Sequence, residues 1–256
     1  MFPWSKKRHR RKIREQFFPK EWDATLRENV WQYSCIRREM HKKYHDDLRI
    51  ILDEKEWEGC GGLQMNDKVK VTIAGQAAIL LLGIEEEFYF DQVKSVLVYP
   101  DAFSVPEQFQ DQSGVVDPDQ TASGEAFQSG PVVLSWDSVL EGGCDPYNGH
   151  NVVIHEFAHQ LDALSGEMGG MPPIFDEEEA QQWVEVFERE FQRLEKAVQE
   201  EQPTLLDEYG ATNRAEFFAV ATECFFEQSE TLLELHSELY GTLKSFYRQD
   251  PAQWMQ

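Results

Sequence analysis

Asn151-Val152-Val153-Ile154-His155-Glu156-Phe157-Ala158-His159-Gln160-Leu161-Asp162 is the stretch on which the reading of this chain turns. Ile154, Phe157, Ala158 and Leu161 recur at i, i+3, i+4 and i+7, the period of a helix with one apolar face. At 3.6 residues per turn, His155 and His159 then stack on the other face with side chains ~6 Å apart, within reach of one tetrahedral zinc ion. Glu156 sits one residue round from His155, beside the metal position, where a carboxylate can take a proton from water and pass it to a leaving amine. Val152 and Val153 precede the motif and no charged residue fills its two variable positions, so the spacing predicts a buried helix over 151–165. Ionisable groups in such a place need partners.

Two histidines leave a catalytic zinc one protein ligand short, the fourth position belonging to water. Asp162 shares the face of His159 but lies ~7 Å along the axis from the middle of the motif, too far for a short side chain on a straight helix. It is assigned to orienting or helix-end hydrogen bonds. Glu216, in Tyr209-Gly210-Ala211-Thr212-Asn213-Arg214-Ala215-Glu216-Phe217-Phe218, stands in the first turn of an apolar helix and is a candidate ligand. Asn213-x-x-Glu216 also matches a capping box, which would occupy the same carboxylate with its own helix end. Glu223, two turns on and on the same face, is a rival ligand or a partner that orients a histidine. Spacing leaves these readings open. His150 reads as loop, and His41 and His45 as a solvated helix face among Lys42, Lys43, Asp46 and Asp47.

The rest of the chain supplies the frame. Its 256 residues are 41% hydrophobic and 12% aromatic, enough for a core without staples. The formal net charge is −23, which argues against a broad nucleic-acid surface. Lys6, Lys7, Arg8, Arg10, Arg11, Lys12 and Arg14 oppose that balance and read as a basic tail over 1–17, able to touch anionic lipid or an acidic partner. No apolar run suits a secretory signal or a membrane span. Cys35, Cys60, Cys144 and Cys224 lack paired spacing, which suits reduced thiols in a cytoplasm.

The pattern from Phe18 to about Trp57 reads helical, and Gly59–Gly62 breaks it. Val69–Ile73 is short and β-branched, and the apolar run after it is compatible with a buried helix. Ser95–Tyr99 and Val132–Trp136 read as strands, with a surface excursion over 101–130 between them. A charged amphipathic helix is predicted over 177–201, with Trp183, Val186, Phe187, Phe191 and Leu194 on one stripe. Further helices are predicted from Asn213 and over 231–247. Strands followed by helices, without regular alternation, point to an α+β class.

The motif segment and the Tyr209–Phe218 segment together resemble the Mlc titration factor A family of bacterial zinc peptidases. So do Gly59-Cys60-Gly61-Gly62-Leu63, Val98-Tyr99-Pro100, Gly130-Pro131-Val132-Val133-Leu134-Ser135-Trp136 and Phe246-Tyr247-Arg248-Gln249-Asp250-Pro251. Tyr209–Phe218 is also similar, more distantly, to the catalytic domain of anthrax lethal factor. The resemblance implies a zincin-like (gluzincin) domain over 18–256 with a small mixed sheet, helical over 18–62 and catalytic over 63–256. It implies one zinc held by His155, His159 and Glu216, with Glu156 as general base and Tyr209 donating to the oxyanion. It also implies aminopeptidase-type cleavage of small peptides and, as an alternative, a regulatory protein that sequesters a transcription repressor. The strand at Val132–Trp136 would pair with extended substrate, as edge strands do in zincins. Some members carry a histidine after a Gly-x-Val step; here Gly114-Val115-Val116 is followed by Asp117, so a further contact from that loop is not carried over.

Overall fold

The computed structural model describes residues 3–102, 130–146, 148–166 and 168–254; Asp117 and its loop lie outside them. The chain divides into two compact units, 1–144 and 145–256, where the sequence suggested a single domain after a tail. Among the described residues the class is α+β, mostly helical with one three-stranded sheet.

The first unit contains α1 (Pro3–Arg14), α2 (Lys20–Asn29), α3 (His41–Glu54), β1 (Glu56–Gly59), α4 (Asp67–Leu81), β2 (Ser95–Tyr99), β3 (Val132–Ser135) and α5 (Trp136–Cys144). The basic segment expected as a tail is therefore helical. Ile13 is buried, Arg10 makes a two-pronged ion pair with Glu54 at 2.8 Å, and Arg14 reaches Glu87 at 2.6 Å. The helix expected across 18–57 is interrupted by short 3-10 turns at Trp31–Ser34 and Arg38–Met40, and Trp57 belongs to β1. Pairing with β2, Glu56 opposite Ser95, makes this charged segment a strand; its own alternation carries no such signal. The sheet is parallel throughout in the order β1-β2-β3, not mixed. Val69–Ile73 is not a separate element, because Asn66 caps Val69 N–H at 3.1 Å and one helix runs through to Leu81. Helix α4 is buried nearly all round, which hides its period. A Cβ on Gly75 would meet Leu26 at 2.5 Å and the Tyr44 hydroxyl at 2.9 Å, so α2 and α3 need a glycine to approach this closely.

The face read as solvated at His41 and His45 is partly interior. Asp46, Asp47 and Arg49 are buried on it. His45 stacks on Phe18 at 3.6 Å between ring centres, and its Nε2 lies 2.8 Å from the Tyr33 hydroxyl. Burial first, and then the neighbouring His41, push the His45 pKa from 6.5 down to about 4. The unfolded chain thus binds a proton between those values that the folded chain refuses, so stability present near neutrality declines as the pH falls through this window. Urea unfolding at about pH 7 and about pH 5 should show this loss, and His45→Gln should reduce it. An equal loss in the variant would assign the acid sensitivity elsewhere.

The second unit holds α6 (Val152–Asp162), α7 (Glu177–Gln199), α8 (Arg214–Glu227), α9 (Ser229–Leu235) and α10 (Ser237–Tyr247), with 3-10 turns at Ala163–Ser165, Glu208–Ala211 and Pro251–Gln253. The predicted stripe of α7 is buried, with Trp183 stacked on Phe187 at 4.1 Å and edge-on to Phe218. Phe191 and Phe187 meet Phe217, so α7 backs α8. The helix predicted over 231–247 is two, broken at His236 (φ −138°, ψ 52°), whose Nδ1 lies 2.7 Å from Glu190 on α7. No helix among the described residues is long and apolar enough to cross a membrane, and the four cysteines are unpaired.

Candidate metal centre

Asn151 starts α6 in extended conformation (φ −150°, ψ 96°), and its Oδ1 accepts the Ile154 N–H at 3.0 Å. Such a cap satisfies a donor that the first helical turn leaves unpaired. The same residue fixes the helix against α8: its N–H donates to Glu223 Oε2 at 2.6 Å and its Nδ2 to Glu227 Oε1 at 3.1 Å. Ile154, Phe157, Ala158 and Leu161 are fully buried, as their period predicts, and the motif residues opposite are buried too. On α8, Glu216, Glu223 and Glu227 fall at i, i+7 and i+11 on one face. All three are buried, in a helix whose other faces carry Phe217, Phe218, Phe225 and Phe226.

That face meets the histidines. His155 Nδ1 lies 2.7 Å from Glu223 Oε1, and since a carboxylate only accepts, the proton belongs on Nδ1. His155 Nε2 is then a lone pair, yet it lies 3.2 Å from His159 Nε2 and 3.1 Å from Glu216 Oε2. His159 Nε2 is 3.3 Å from the same oxygen. Three ligand atoms, one from each of His155, His159 and Glu216, lie within 4.8 Å of one another with all three residues buried. Converging acceptors repel unless a proton or a cation lies between them.

The titration of the cluster follows from this. Burial opposes charge on His155, but Glu223 and Glu216 outweigh it and hold the imidazole pKa well above its ordinary value. Burial works the same way on His159, where Glu216 prevails and again raises it. Burial would raise Glu216, but His159 and His155 hold it well below the usual carboxylate range. Without a metal, the cluster is neutralised by protons. A divalent cation would displace them, and two imidazoles with one carboxylate form a donor set that suits zinc. The residues present therefore fit a metal.

The remaining sequence candidates separate clearly. Asn213 Oδ1 caps α8 by accepting from the Ala215 and Glu216 N–H groups, while the Glu216 carboxylate faces the histidines rather than closing a capping box. Glu223 lies behind His155. Asp162 is fully buried and accepts from Gly170 N–H and Met171 N–H, each at 2.8 Å, pinning the loop after α6. Its pKa is raised by burial, against those two bonds. Gly170 (φ +76°) must be glycine, since a Cβ would strike Arg214 O at 2.3 Å. Tyr209 is half-buried on a turn started by Asp207, its ring centre 6.2 Å from that of His155. His150 is exposed and lies 3.7 Å from Asp207. Asn151 and Glu227 were not singled out from the sequence, although Asn before an apolar helical run is a capping signal.

Comparison with known proteins agrees in extent with the geometry. A protein of Synechocystis described as uncharacterized is 35% identical over 91% of this chain and 85% of its own length. Mlc titration factor A of Yersinia pestis, and that of Yersinia pseudotuberculosis, are 32% identical over 87% of this chain and 90% of theirs. The family model described as glucose-regulated metallo-peptidase M90 matches residues 4–248. With a match spanning both units, the chain belongs to the glucose-regulated metallo-peptidase M90 family.

Proposed function

We propose that this protein is a zinc-dependent peptidase whose metal is held by His155, His159 and Glu216. The convergence of three buried ligand atoms within 4.8 Å carries the reading. Zinc bound there would act as a Lewis acid on a carbonyl and make water a stronger nucleophile at neutral pH. Glu156, buried beside His155 on α6, takes the proton of the attacking water and delivers it to the departing amine. Tyr209 donates its hydroxyl hydrogen to the oxyanion that develops on the scissile carbonyl. Glu223 keeps the His155 proton on Nδ1 and so keeps Nε2 free to bind metal. The finer reading is aminopeptidase-type action on short peptides, in a cytoplasm where the four unpaired cysteines stay reduced.

The test is hydrolysis of short peptides, with free and with blocked N-termini, before and after chelation. Chelation should abolish cleavage and stoichiometric zinc should restore it. Cleavage that survives removal of all metal would end the proposal, and equal cleavage of blocked peptides would end its aminopeptidase part. A second reading, in which the protein binds and sequesters a transcription repressor, is favoured by the similarity to proteins named Mlc titration factor A.

A further inference from the structure

Helix α1 has two faces of opposite electrostatic condition. On the inner face, Lys6, His9, Arg10 and Arg14 are matched with Asp91, Asp53, Glu54 and Glu87 at 2.5–2.8 Å around the buried Ile13. On the outer face, at 100° per residue, Trp4, Arg8 and Arg11 fall within one narrow stripe, flanked by Lys7 and Lys12. All five are exposed, Trp4 by 77%, and the four cations make no ion pair among the described residues. Glu15, just past the helix end, is the sole acid to follow on that side. Phe17, two residues after Glu15, is 80% exposed.

The fold pairs the inner cations directly, while of the outer four only Lys7 acts on one of those acids, Glu87, and does so without an ion pair. An exposed tryptophan in a stripe of unpaired cations, on a chain whose net charge is −23, calls for a partner that is anionic and also offers the indole an apolar edge. We propose that the outer face of α1 docks on the surface of a bilayer rich in anionic phospholipid. The headgroups take Lys7, Arg8, Arg11 and Lys12, and Trp4 lies at the boundary between headgroups and acyl chains. Duplex nucleic acid would match the charge but receives an indole only by unstacking a base step. The acidic remainder of the chain is repelled by an anionic surface, so this face is selected over others. Because ion pairs already hold the inner face, the docking stripe is formed before the membrane is met.

The full chain, metal-loaded, is mixed with vesicles of phosphatidylcholine alone and of phosphatidylcholine with phosphatidylglycerol, and sedimented. Binding should require the anionic lipid and should weaken from about 0.1 M to about 1 M salt as screening shortens. Each basic side chain near such a surface is worth roughly fivefold, so K7Q/R8Q/R11Q/K12Q should reduce partitioning by about 10²-fold or more. That variant should keep the metal content and unfolding midpoint of the parent, since its changes touch no ion pair of the fold. Trp4→Ala should weaken binding without changing the salt dependence. Absence of binding to anionic vesicles, equal binding to neutral ones, or full binding by the quadruple variant would each overturn the proposal. Duplex DNA displacing the protein from vesicles at equal phosphate would overturn it in favour of nucleic acid.

Discussion

Glu156→Gln is expected to lower peptide hydrolysis by about 10²–10⁴-fold while metal content and unfolding midpoint stay at the parent values. The change keeps the shape of a side chain that is 4% exposed on α6, and it replaces an acceptor for the proton of water with an amide that cannot take it. The loss should fall on kcat with little change in KM, because the proton moves only as the transition state forms. Tyr209→Phe should also act on kcat, by a smaller factor of about 10–10³, since the hydroxyl proposed to donate to the oxyanion is removed. The pair also separates the two functional readings. A repressor-sequestering protein would bind its partner undiminished in both variants, whereas a peptidase loses turnover in both. If Glu156→Gln cleaves peptides as fast as the parent, the general-base assignment is wrong.

Glu216→Ala is expected to leave the protein unable to hold a stoichiometric metal ion, with all activity lost. The substitution removes one of the three proposed donors and leaves two imidazole nitrogens 3.2 Å apart without the carboxylate that faces both. Glu223→Gln should be milder, a 10–100-fold weakening of metal affinity of the order found when a partner behind a ligand is altered. The difference follows from position: Glu223 holds the far side of the His155 ring at 2.7 Å, while Glu216 Oε2 lies within 3.3 Å of both Nε2 atoms. Elemental analysis after metal loading and desalting decides the matter. Metal lost from the Glu223 variant and retained by the Glu216 variant would reverse the ligand choice.

Much of the site could be read in the sequence because its decisive geometry is local. The i, i+4 spacing of His155 and His159, and the apolar period opposite, depend only on helical pitch. Asn213, three residues ahead of a donor it caps, is local in the same way. Rise per residue alone sets Asp162 apart from the middle of the motif, and its carboxylate binds the 170–171 backbone.

Where spacing was silent, the answer lay in contacts distant along the chain. Glu216 and Glu223 share one face of α8 two turns apart, so no periodicity can choose between them; the way α8 packs on α6 puts one carboxylate against both Nε2 atoms and the other behind His155. Likewise β1 is a strand only because β2 lies beside it, and α1 packs where its buried Ile13 and its inner cations meet partners, the acids among them 40 to 80 residues on. The sequence alone determined the helical face that carries two histidines and a glutamate, since a helix needs only its own backbone to align residues four apart. Which carboxylate lies against both histidines was decided by tertiary structure, because two helices separated by some fifty residues of chain meet at a register that only the packed core selects.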